Sequence, residues 1–280
     1  MNEALAILGP FLAGLVFFFW GLDRIRSSVR GLAGPPARRR AGTLTGGNLR
    51  AAAFGLLLGI LTQSVMGSAF IVASFVTVGV LTMRRALLVT SWVNPGTALL
   101  PFLAAIDLNL VTLWLIGVAG LALRNRRVGD RSAIAGTLFG VGLLLFGIME
   151  LKLAGRPIAD ASWFPAVAGL LAAPLPVAFA IGALLRLGIQ STGGIVVIVI
   201  VIAGHGMLDM DHAMMVVAGT GIGTASTILL LGRGLRGEAL RVGVWQAILS
   251  ATAASLMGGW ILLGAAGAVP SPAAAFASAG

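Results

Sequence analysis

Two short polar stretches interrupt otherwise apolar runs, and their residue types are those that hold small ions. The first is Thr62-Gln63-Ser64-Val65-Met66-Gly67-Ser68, inside a run from Ala51 to Leu81 that carries no charge. The second is Gln190-Ser191-Thr192-Gly193-Gly194, inside the run Phe164 to Ala203. Glutamine and serine present a donor or an acceptor without the cost of a buried charge. A helix that ends and restarts at such a stretch exposes two poles. Its closing carbonyls suit Na+ or a proton donor, and the N–H groups of the restarting arm suit an anion.

Other residues sharpen or dilute that chemistry. Arg186 lies one helical turn before Gln190. A charge at that depth in a membrane costs roughly 2.5–3.5 kcal/mol on insertion scales and usually faces a cavity. It either snorkels or pairs with Glu150, or it supplies positive charge to a bound anion. Ser91-Trp92-Val93-Asn94-Pro95-Gly96-Thr97 places a proline inside a span, where a helical hydrogen bond is lost, so a break is expected there. Its counterpart, Gly219-Thr220-Gly221-Ile222-Gly223-Thr224, is glycine-rich, and tight helix packing is the plainer alternative for both. No strand or ribose-binding acid supports a nucleotide loop at Gly219-x-Gly221-x-Gly223. His205, Asp209, Asp211 and His212 form the acid–histidine cluster of the chain. A capped, solvated loop explains them better than a metal site, with Asp211 expected as the N-cap of the next helix. No resident metal or cofactor is expected, other than Na+ as a coupling ion. Clustered acids for hydrolytic chemistry are missing within the apolar runs, so an enzyme is not expected.

The elements that must position these residues follow from composition and length. Of 280 residues, 58% are hydrophobic and only 10% charged, against about 25% charged in soluble domains. The chain therefore reads as an all-α polytopic membrane protein. The excess of ten basic residues lies between apolar runs, so it speaks of topology and of the lipid bilayer as partner, not of nucleic acid. Without cysteine, disulfides and thiolate sites are excluded. The first run, Leu5–Leu22, lacks a basic segment before it and is expected to remain in the mature protein. Further apolar runs are Ala86–Ile106, Leu110–Leu123, Ala133–Leu151, Ala213–Leu231 and Val242–Ala268. The run Ala51–Leu81 as one helix would measure about 45 Å against a hydrocarbon core of about 30 Å. Two arms meeting at a polar tip, a re-entrant hairpin, fit better, provided protein or a cavity surrounds the broken backbone. The same holds for Phe164–Ala203.

The halves repeat. Gln63-Ser64 recurs as Gln190-Ser191 and Gly96-Thr97 as Gly223-Thr224, both 127 residues on. Phe19-Trp20-Gly21-Leu22 resembles Leu145-Phe146-Gly147-Ile148 at 126 residues. The predicted organisation is repeat 1 over 1–128 and repeat 2 over 129–280, each with three transmembrane helices and one re-entrant hairpin. Three crossings per half invert the second half. The charges agree, because one predicted face collects Arg24, Arg26, Arg30, Arg38, Arg39, Arg40, Arg50, Arg84, Arg85, Arg124, Arg126, Arg127, Arg131, Arg233, Arg236 and Arg241. Only Lys152, Arg156 and Arg186 fall elsewhere. The positive-inside rule makes that face cytoplasmic, with both termini outside the inner membrane.

With these motifs in place, the chain resembles the sodium/phosphate cotransporter type II family, as a short and divergent member. That family carries two copies of Gln-Ser-Ser-Ser-Ala-Thr, each followed some thirty residues later by a Gly-Ala-Asn-Ile-Gly-Thr-Thr-like element. Gln63-Ser64-Val65-Met66-Gly67-Ser68 and Val93-Asn94-Pro95-Gly96-Thr97 occupy the first pair of places. Gln190-Ser191-Thr192-Gly193-Gly194 and Gly221-Ile222-Gly223-Thr224 occupy the second. The resemblance implies transport of phosphate or a related small oxyanion, coupled to Na+, with the site at the hairpin tips. Expected substrate ligands are Gln63, Ser64, Ser68, Gln190, Ser191, Thr192 and Arg186. Expected ion ligands are Thr62, Asn94, Thr97, Gly221 and Thr224. Val65 and Met66 stand where the family has serines, and Gly221 where it has asparagine. A sodium-independent exporter or channel of the same fold, or a transport-inactive membrane partner, is the alternative. Glycine pairs such as Gly55-x-x-x-Gly59 and Gly136-x-x-x-Gly140 would pack helices within a protomer or across a homodimer.

Overall fold

The computed structural model describes residues 2–32, 45–104, 108–124, 132–159, 161, 169, 173–234, 236–271 and 274. Arg38, Arg39, Arg40, Arg126, Arg127 and Arg131, together with the start of the second long run, lie outside them. The described residues are all-helical, with no strand among them. In order the helices are α1 (Asn2–Leu32), α2 (Asn48–Thr62), α3 (Val65–Thr77), α4 (Met83–Ala104) and α5 (Asn109–Arg124). They continue with α6 (Ser132–Ala159), α7 (Leu175–Ile189), α8 (Thr192–Gly204), α9 (Met210–Leu231) and α10 (Gly237–Ala265).

Four of these are long and apolar enough to cross a membrane: Leu8–Ser28 of α1, Ala133–Gly155 of α6, Met210–Gly234 through α9, and α10. The arms α2 and α3 have 15 and 13 residues, as do α7 and α8. Arms of that size are about 20–22 Å long, short of a hydrocarbon core of about 30 Å.

The chain forms two compact units: residues 1–154 with 235–243, and 155–234 with 244–280. In the first unit α2 packs along α4. Gly55 and Gly59 let them meet, since an added Cβ would lie 2.1 Å from Val89 O and 2.3 Å from Val93 O. Gly96 meets Leu56 O from the other side, at 2.2 Å. Buried Ala51, Val72, Leu81, Ala86 and Val89 fill the space among α2, α3 and α4. In the second unit α7 packs along α9 in the same way. A Cβ on Gly182 would fall 1.9 Å from Val216 O, one on Gly219 1.9 Å from Phe179 O, and one on Gly223 2.6 Å from Ala183 O. Ala178, Val199, Leu208, Ala213 and Val216 are its core. Each of these five stands 127 residues beyond a core residue of the first unit. Lipid tails are as apolar as leucine, so close backbone approach through small residues holds such helices together.

Also in the first unit, α1 and α6 cross antiparallel through four glycines. A Cβ on Gly14 would meet Gly147 O at 3.0 Å, and one on Gly21 would meet Gly140 O at 2.6 Å. Gly14 and Gly140, and likewise Gly21 and Gly147, are repeat partners at 126 residues, so each contact is the other with its partners exchanged.

Three local expectations are corrected. The third segments do not break: α4 runs through Pro95 and α9 through Gly219–Thr224. The lost hydrogen bond at Pro95 is tolerated in a helix held along its length against α2. Asp23, Arg24 and Arg26 belong to α1, not to a loop after it. The N-cap of α9 is Asp209, not Asp211. Asp209 has extended backbone (φ −69, ψ 162) and its carboxylate accepts from His212 N, while Asp211 sits in the first turn.

Candidate functional site

Both polar stretches are helix breaks with the same backbone. α2 ends on Gln63 at φ 45 and α7 on Gln190 at φ 55, the two non-glycine residues with positive φ among those described. That conformation strains a side chain, and only glycine adopts it freely. At Gln63 the side-chain amide turns back and donates to Ile60 O (3.1 Å), near the helix end, and to Gly59 O (3.3 Å), which also accepts the Gln63 backbone N–H. Each chain restarts on an extended serine whose hydroxyl accepts from the third backbone N–H: Ser64 from Gly67 N at 3.1 Å, Ser191 from Gly194 N at 3.2 Å. The turns after the second arms match as well, on Gly79 at φ 73 and Gly206 at φ 71.

At the first break the hydroxyls form a closed circuit. Thr62 Oγ1 donates to Leu58 O (2.8 Å), leaving Ser68 Oγ to donate to Thr62 Oγ1 at 2.6 Å. Both side chains are buried. Thr97, beside Gly59 on α4, turns its hydroxyl to Asn94 O at 2.8 Å. The closing carbonyls are covered from α1, where Arg26 Nε donates to Thr62 O (3.1 Å) and Nη2 to Gln63 O (3.5 Å). Sequence reasoning missed this role. Arg26 looked like one more topology arginine, and only its place one turn beyond Leu22 hinted that α1 runs on.

At the second break the circuit is open. Arg186, 7% exposed, occupies the last turn of α7. Its Nε donates to Thr192 Oγ1 (3.0 Å) and Thr224 Oγ1 (3.1 Å). Thr224 in turn donates to Thr220 O, which leaves the Thr192 hydroxyl as the donor across its 3.4 Å contact with Thr224 Oγ1. Arg186 Nη1 is buried without a hydrogen-bond partner. The C-terminal end of α7 favours this cation, but the N-terminus of α8, which begins at Thr192, favours an anion. A buried guanidinium with an unused N–H thus stands beside a helix N-terminus, and both favour negative charge.

Of the expected site residues, the structure thus brings together Thr62, Gln63, Ser64 and Ser68 at one break, with Thr97 beside them. It brings Arg186, Gln190, Ser191, Thr192 and Thr224 together at the other. Asn94 lies on α4, one turn before Thr97. Gly221 faces α10, where a Cβ would meet the Ala254 side chain at 2.8 Å, opposite the face that carries Gly219 and Gly223. Among the described residues no group of three His, Asp or Glu side chains could hold a metal ion.

An all-helical, multi-pass membrane protein with two polar helix breaks is the class these features define. Its residues 17–152 match the Na+/Pi-cotransporter family, which bears out the resemblance read from the motifs. The chain is similar to "Uncharacterized protein YqeW" of Bacillus subtilis, 24% identical over 237 residues, 80% of this chain and 73% of that one. It is also similar to "Putative inorganic phosphate export protein YjbB" of Salmonella typhimurium and of Escherichia coli, 23% identical over 233 residues in each case. These matches cover 82% of the chain but only 42% of those longer relatives. No solved structure matches the chain.

Proposed function

We propose that the protein is a secondary transporter that moves inorganic phosphate, or a small oxyanion like it, across the inner membrane. The observation that carries this reading is Arg186, a buried cation whose Nη1 has no partner and whose Nε is steered by Thr192 and Thr224. An anion bound there would accept from Nη1 and from N–H groups opening α8, with Gln190 at the rim. The names of the longer relatives agree in substrate. In this reading α2–α3 and α7–α8 are re-entrant hairpins, because their arms are too short to span. Residues 1–128 and 129–280 are inverted repeats, which the exchanged glycine contacts of α1 and α6 and the recurring close approaches 127 residues apart support. Both termini then lie outside, and a homodimer is compatible with the remaining exposed glycines.

The description of the matching family includes Na+, but the hydroxyls of the first break are already engaged, Thr62 and Ser68 with each other and Thr97 with Asn94 O. A sodium-independent exporter is the second reading, favoured by the arginine found at each break. The test is uptake and efflux of radiolabelled phosphate in proteoliposomes, with and without a sodium gradient, for wild type and Arg186→Gln. Phosphate flux that collapses in the variant is expected. Equal flux in both proteins would remove Arg186 from the site, and no flux in wild type would remove phosphate as the substrate.

A further inference from the structure

We infer that Arg26 is a tethered cation at the first break, standing where a coupling sodium would sit, so that this break works without Na+. The inference rests on the transporter reading above and adds its cation requirement. A helix C-terminus carries partial negative charge on carbonyls without intrahelical partners. At Gln63 the chain leaves the helix, and the carbonyls of Thr62 and Gln63 are the outermost of these. Such oxygens are ligands of the hard cations. Here both are taken by one guanidinium, Nε on Thr62 O at 3.1 Å and Nη2 on Gln63 O at 3.5 Å. The remaining nitrogen, Nη1, lies 3.5 Å from the Asp23 carboxylate, which is 71% exposed and so neutralises it weakly.

The hydroxyl side of the break needs no ion either, because Thr62 and Ser68 satisfy one another. A guanidinium stays charged at every physiological pH and cannot leave its helix. It therefore supplies the positive charge that holds the break together, yet cannot be carried down a gradient. Energy from a sodium gradient has no entry at this end of the protein.

The experiment uses the full chain with Arg26→Gln and Arg26→Lys, assayed for phosphate flux in proteoliposomes in Na+ and in choline. Wild type and Arg26→Lys should transport equally in the two salts. Arg26→Gln should be slow in choline and stimulated about tenfold by Na+, equivalent to 1.4 kcal/mol of cation binding at the uncovered carbonyls. In detergent, without any substrate, Na+ should raise the Tm of Arg26→Gln by about 2–4 °C while leaving wild type unmoved. Sodium-stimulated wild type, or an Arg26→Gln protein indifferent to Na+ in both assays, overturns the inference. Wild type that moves no phosphate sinks the phosphate reading alone, and the Tm comparison then decides the role of Arg26. Should Arg26→Gln fail to fold, sodium stimulation of Arg26→Lys is the result that overturns it.

Discussion

The two helix breaks share a backbone and differ in charge. Both end on a left-handed glutamine, both restart on a capping serine, and both lie against a long helix through glycines. Yet the first is internally satisfied, with its carbonyls under Arg26 and its hydroxyls in a circuit. The second keeps a buried guanidinium with an unused N–H. The difference traces to one register position. At 59 a glycine is required, because Val93 O would lie 2.3 Å from a Cβ. At the corresponding 186 an arginine stands instead, beside Gly223, whose added Cβ would lie 2.6 Å from Arg186 Cβ. Gly96 holds the same register beside Gly59, so this glycine is common to both breaks. Backbone geometry is thus held fixed by close packing, and side-chain chemistry varies at this one position.

The largest effects should come from the shared backbone. In Gly182→Ala and Gly55→Ala the new methyl meets a carbonyl of the facing helix, at 1.9 and 2.1 Å. Backbone cannot rotate away, so each should lose 3 kcal/mol or more by rough analogy with overpacked cores, and little monodisperse protein should survive purification. Gly188→Ala, with nothing near its Cβ, should purify like wild type. Similar yields for all three would mean that these close approaches do not hold either break.

The next effect separates the breaks. Arg186→Gln should weaken phosphate transport by at least about thirtyfold, the loss of roughly 2 kcal/mol that follows removal of a charged hydrogen-bonding partner. Stability should move the other way. Replacing an incompletely paired buried charge is often neutral or stabilising, so Arg186→Met should keep or raise Tm without phosphate. A fall in Tm together with a fall in flux would mark Arg186 as a structural brace instead.

A smaller effect probes the closed circuit. Thr62→Val leaves the fully buried Ser68 hydroxyl without its partner and should cost about 1–3 kcal/mol in a denaturation curve. Thr62→Val with Ser68→Ala removes both ends and should recover most of that loss. A double variant no more stable than the single would show that the pair is not a closed unit.

Much of this was legible in the sequence because it depends on backbone and spacing. Two long apolar runs with polar centres announced two breaks, and an interval of 127 announced their likeness. What stayed hidden depends on side chains meeting across elements. Arg26 reaches a break 36 residues away from a helix that the apolar pattern ends at Leu22. Gly221 matches a motif position but sits on the opposite face of α9 from its neighbours Gly219 and Gly223. Pro95 suggested a broken helix, but local propensity lost to packing against α2. Asp209 and Asp211 are equally good caps by type, and only the extended backbone of Asp209 chose between them.

That cap supplies the smallest prediction, and it again compares the halves. Asp209 begins α9, while Thr82, its partner in register, begins α4 with the first helical bond at Ala86. Burial pushes the Asp209 carboxyl up, but the backbone N–H and the charge of His212, with a side-chain hydrogen bond from its ring, outweigh burial and hold it below its ordinary value. A lowered carboxylate pKa stabilises the folded state above the unfolded pKa, about 3.9 for aspartate, and that stability is lost as pH falls through the folded value. Acid should therefore loosen the start of α9 and leave the start of α4, with its neutral cap, unchanged. Hydrogen exchange corrected for intrinsic rates should show this as lost protection at His212 and Ala213 on acidification, with none lost at Ala86. Asp209→Ala should cost about 1 kcal/mol at neutral pH and abolish the acid response. The same acid response at both helix starts would assign it to the membrane domain as a whole, and the two halves would then differ only at their breaks.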